Sequence, residues 1–103
     1  MSSREARTVF AQLRGFGANW IELGEHGDMR QATAAAIASE HPFCREFLLP
    51  IAVEAQRALV LFPADDLLDR HVRSEMPWIT RDAVRELLHF IDDHMHRKHA
   101  TDA

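Results

Sequence analysis

The residues best suited to chemistry stand near the end of the sequence. Residues 89–99 read His-Phe-Ile-Asp-Asp-His-Met-His-Arg-Lys-His. On a helix His89, Asp93 and His96 fall at i, i+4 and i+7, and so do Asp92, His96 and His99. Imidazole and carboxylate one turn apart can share a zinc, nickel or copper ion. The spacing therefore names His89, Asp92, Asp93, His96 and His99 as a candidate metal-binding set. Protein sites normally take three or four ligands. No matching pair stands out on a second helix, and no cysteine is near in sequence. The competing reading is a solvated helix end, where late histidines meet the negative end of the helix dipole.

Cys44 follows His41 by three residues and lies close to an expected helix start, where thiolates are favoured. A helical wheel sets it among Phe43, Phe47 and Ile51, so it reads as a small buried hydrophobe. A nucleophile would also need access, a base and an oxyanion site. The acidic pairs Asp65-Asp66 and Asp92-Asp93 read as solvated helix faces with arginines nearby. Catalytic carboxylates need environments that split their pKa values. His71 falls on an apolar stripe and reads as a boundary histidine. Gly15-Phe16-Gly17 lacks a third glycine and a preceding strand, so it is not a dinucleotide loop.

A partner surface is the remaining candidate. Phe90 lies about 120° from the centre of its helix's apolar stripe, with His94 between the two. Trp78 precedes that helix, and Arg81 and Arg97 flank it. Exposed aromatics beside arginines are typical of binding hot spots. The expected contact set is Trp78, Arg81, Phe90, His94 and Arg97. A wide buried face on this helix, or coverage of Phe90 by the first helix, is the competing reading.

These residues need elements to hold them, and the chain reads as helices throughout. Ala6, Val9, Phe10, Leu13, Phe16, Gly17, Trp20 and Ile21 fall within about 140° of arc. They predict one helix over residues 3–23, started by Ser2 and Glu5 at capping-box spacing and ended at Gly24. Asp28 and Gln31 start a second helix over 28–41. Pro42 opens a third over 43–62, with a break expected at Pro50. Its Val53 and Val60 lie opposite its main apolar face, which marks a central helix. Pro63 opens a fourth over 63–76, ended by Pro77. Thr80 caps a fifth over 80–98, with Ile79 and Val84 as a hydrophobic staple. Residues 99–103 are expected to fray. The fold class is all-α, a single compact bundle of about five short antiparallel helices.

Size and charge narrow the function. The chain has 103 residues, 47% of them apolar, and a formal charge of -4, as expected of one globular domain with a core. That charge fits nucleic acid poorly. A single cysteine forms no internal disulfide and suits a reducing compartment. No apolar run approaches the ~20 residues of a membrane span, and none near Met1 resembles an export signal. A cytoplasmic protein is expected, with no nucleic-acid or membrane partner, no cofactor and no tightly bound small molecule. The leading expectation is a non-enzymatic module acting through a protein partner or self-association. A metal-responsive domain built on the C-terminal His and Asp residues is the alternative, and a Cys44-dependent enzyme comes after it.

Overall fold

A computed structural model describes residues 1–101. It is all-helical among those residues: α1 Ser3–Val9, α2 Ala11–Trp20, α3 Met29–Glu40, α4 Cys44–Leu61, α5 Asp65–His71 and α6 Arg81–His99. The long helices α4 and α6 pack together, with α2 against α4 and α3 against α6. One core joins them, containing Phe10, Leu13, Leu48, Ile51, Met76, Ile79, Val84 and Leu87, each fully or almost fully buried.

The local start signals act as their chemistry dictates. Ser2 Oγ accepts from Glu5 N, and the Glu5 side chain returns to Ser2 N. Asp28 Oδ1 accepts from Gln31 N at 2.8 Å, while Gln31 Oε1 takes the Gly27 N–H. Thr80 Oγ1 accepts from Ala83 N at 3.0 Å, and the flanking Ile79 and Val84 are fully buried. Gly24 adopts φ +69°, the left-handed conformation that costs glycine least. It closes a turn three residues beyond the α2 C-cap at Ile21.

Five expectations change. The first helix is two helices, interrupted at Phe10, which sits at φ -117°, ψ 34°. The cause lies on α4: Glu54 Oε1 accepts from both Gln12 N and Leu13 N at 2.9 Å. Arg57 Nη1 donates to Val9 O at 3.0 Å. Two side chains of α4, one turn apart, thus satisfy both sides of the interruption. Pro50 does not break α4, which runs continuously from Cys44 to Leu61. Leu48 and Ile51 are buried on either side of it, and their packing outweighs the ~3 kcal/mol that an interior proline costs.

The fourth helix ends at His71 rather than Met76. Turns then carry the chain so that Met76 and Ile79 enter the core, held by Arg73 Nη2 donating to Ile79 O. Neither Pro42 nor Pro63 is the first residue of its helix: α4 starts at Cys44 and α5 at Asp65. His99 belongs to α6 rather than to a frayed tail; Ala100 and Thr101 follow in a turn, and residues 102–103 lie outside the described residues.

No single helix is long and apolar enough to cross a membrane.

Candidate metal centre

Three elements end at one point. His41 is the C-cap of α3, Cys44 is the first residue of α4, and His99 is the last residue of α6. One ligand atom from each lies within 4.8 Å of the other two. Cys44 Sγ stands 3.5 Å from His41 Nδ1. The His41 and His99 rings lie 6.2 Å apart, centroid to centroid. His94, on the preceding turn of α6, places its Nε2 3.2 Å from His99 Nε2. One thiol and two imidazoles therefore gather at the α3–α4 turn, with a third imidazole, His94, in contact with His99.

The spacing suits a cation. Around tetrahedral zinc, bond lengths of ~2.05 Å to nitrogen and ~2.3 Å to sulfur set ligand atoms ~3.4 Å apart for N···N and ~3.6 Å for N···S. The 3.5 Å between Cys44 and His41 lies close to the second and the 3.2 Å between His94 and His99 close to the first, while the His41–Cys44–His99 group as a whole spans up to 4.8 Å. Soft thiolate with imidazole selects zinc and related borderline cations over calcium or magnesium.

The electrostatics match a site that waits for charge. Burial pushes the Cys44 thiol above its ordinary pKa, with Glu46 adding to the rise. Metal binding would displace that proton. His94 is held below the usual imidazole range, first by burial and then by His99, His41 and Lys98; Asp93 opposes them. A neutral imidazole is the form that ligates.

The centre closes one end of a cleft of about 570 Å³ between α3 and α6. Arg30, Ile37, Phe90 and Arg97 line its length, and His41 and His94 its metal-centre end. The Arg30 guanidinium lies 4.8 Å from the Phe90 ring centre, so α3 half-covers this aromatic.

The five residues expected to form a metal set occupy different places. His99 lies in the cluster. His89 and Asp92 border another groove, between α4 and α6. Asp93 pairs with Arg97 at 3.1 Å, and His96 is exposed. The five expected partner contacts also separate. Phe90, His94 and Arg97 share the α3–α6 cleft. Trp78 lies against Gly17 of α2, filling the notch that a side chain there would occupy. Arg81 Nη1 donates to Leu59 O and Phe62 O, closing the end of α4.

His41 and Cys44 are the candidate ligands that wheel reasoning on α6 alone passes over. The signal was present as His-x-x-Cys bridging two helices. His94 and His99 stand at i, i+5, a spacing that no helix face marks. Comparison with known protein families, with characterised proteins and with solved structures gives no match for this chain.

Proposed function

We propose that this chain is a metal-binding helical domain whose cation, held by His41, Cys44 and His99 with His94 as fourth ligand, fastens the end of α6 to the α3–α4 turn. One observation carries the reading: ligand atoms from three separate elements lie within 4.8 Å of one another. Zinc is the cation that the donor set favours. Binding would add to the stability of the folded chain, because the unfolded chain does not assemble the site. The domain would act as a metal-responsive module rather than an enzyme. Full burial of Cys44 denies a substrate the access that a nucleophile needs.

Cobalt(II) added to tag-free protein tests this. The expected result is one equivalent bound, with a thiolate-to-cobalt charge-transfer band in the near ultraviolet and the intense visible bands of tetrahedral cobalt. Cys44→Ser should abolish the charge-transfer band. His99→Ala should weaken zinc binding at least ~10-fold while leaving the metal-free protein folded. Stoichiometric cobalt binding without the charge-transfer band, or zinc affinity unchanged in both variants, would overturn the assignment.

A further inference from the structure

The α3–α6 cleft is lined by two cations that the fold leaves without a counter-ion. Arg30 lies over Phe90 and His41 lies by His99, so α3 and α6 run side by side in the same direction. Phe90, His94 and Lys98 stand at i, i+4 and i+8 on α6, and all three line the cleft. Arg30 therefore marks one end and Lys98 the other, ~12 Å apart along α6. Among the described residues no carboxylate pairs with either. The third cation of the lining, Arg97, is paired with Asp93 at 3.1 Å, so those two charges cancel. With its histidines neutral the lining keeps two positive charges, in a chain whose net charge is -4.

Between the two cations the surface is apolar, formed by Ala34, Ile37 and Ala38 of α3 with Phe90 of α6. The Thr33 hydroxyl is spent on Met29 O, 2.7 Å away in its own helix. The volume, about 570 Å³, is that of a small-molecule site.

We propose that this cleft binds an elongated apolar molecule carrying a carboxylate at each end, one on Arg30 and the other on Lys98, its body lying on Ala34, Ile37, Ala38 and Phe90. Phe90 occupies one face of the Arg30 guanidinium and leaves the N–H groups at its edge free for a carboxylate. Lys98 offers a point charge at the other end. Two unpaired unit charges balance two carboxylates, whereas phosphate groups, at about -1.5 to -2 each, would overshoot them. A peptide would lay its own N–H and C=O groups on an apolar floor that offers them no partner. The inference does not rest on the metal reading, because neither Arg30 nor Lys98 belongs to the metal cluster.

Backbone-amide NMR titration of the metal-free full chain tests it, with sebacate as the probe. Decanoate has the same chain and one carboxylate, and succinate is too short to span the cations. Sebacate should bind once, with shifts confined to α3 and α6, about 10-fold tighter than decanoate, since each end adds a hydrogen-bonded charge pair. Succinate should bind no better than acetate. Arg30→Gln and Lys98→Gln, both at exposed positions, should each lower sebacate affinity to that of decanoate. Cys44→Ser, which removes a metal ligand and no lining group, should bind sebacate as the wild type does. Equal affinity for sebacate and decanoate overturns the two-ended site. So do shifts that map elsewhere, or sebacate binding unchanged in both cation variants. Loss of sebacate binding in Cys44→Ser would show that a metal holds the carboxylate, and the assignment to Arg30 and Lys98 would fall. A hexaglutamate peptide that binds the cleft more tightly than sebacate would reassign it to an acidic protein segment.

Discussion

Two polar clusters lie against α4, and they are built on opposite principles. At the α1–α2 interruption, Glu54 and Arg57 meet backbone groups that need them. The Glu54 oxygen takes two N–H groups, and Arg57 supplies a donor to Val9 O. Every bond there joins a side chain to an orphaned helix end. At the start of α4, by contrast, Cys44 meets His41 and His94 meets His99. Imidazoles that face each other gain little from the contact, and protonating one disfavours protonating the next. The first cluster completes the fold, whereas the second gathers lone pairs toward a common point. Polar groups packed around α4 thus divide by what they meet, and the second kind marks the functional candidate.

The contrast predicts a division of effects. Glu54→Ala should cause the largest loss of stability, about 3 kcal/mol, since one buried and one part-buried N–H group would lose their acceptor. Urea unfolding measures it, and Glu54→Gln should recover part of the loss because its carbonyl oxygen still accepts. Zinc affinity of the folded variant should not change. If Glu54→Ala weakened zinc binding as strongly as His99→Ala, the two clusters would be one coupled unit and the division would fail.

Gly17→Ala comes next. A methyl group there would overlap Trp78 Nε1, which is already buried without a hydrogen-bond partner. Moving the indole should cost about 2 kcal/mol, as overpacking typically does. Near-ultraviolet circular dichroism should report the displaced tryptophan. An unchanged spectrum and midpoint would show that Trp78 adapts freely, which would leave it available as a surface residue.

What was legible in the sequence follows the range of the interactions. Ser2, Asp28 and Thr80 cap helices through groups three residues away, so short spacing suffices to place them. The all-helical class follows from the apolar periods in the same way. The interruption at Phe10 was not legible, because the Glu54 bonds that hold it open span 41 and 42 residues. The candidate metal cluster divides likewise. His99 stood in the periodic pattern of α6, but His41 and Cys44 reach it only through the packing of α3, α4 and α6. Val53 and Val60 show the opposite error. Their apolar character was read correctly, and the inference that the chain itself buries them was not, since composition does not say whose surface covers a face.

The smallest expected effect concerns pH, and it separates the clusters without removing a bond from the core. His94 has its pKa depressed in the folded chain, first by burial and then by its neighbours His99, His41 and Lys98, with Asp93 opposing. In the unfolded chain it should titrate near ~6.5. As pH falls through that value, the unfolded state takes up a proton that the folded state refuses. The contribution of His94 to stability is therefore fully present above about pH 6.5 and is lost as pH falls toward its depressed folded value. His94→Asn lacks this dependence, so the difference in unfolding free energy between wild type and variant should change across that window and level off on either side. Zinc should steepen the wild-type profile, because protons and metal compete for the same nitrogen. Parallel curves for the two proteins, with and without zinc, would mean that His94 titrates as a solvated side chain. The second cluster would then consist of His41, Cys44 and His99 alone, with the fourth coordination position facing the α3–α6 cleft.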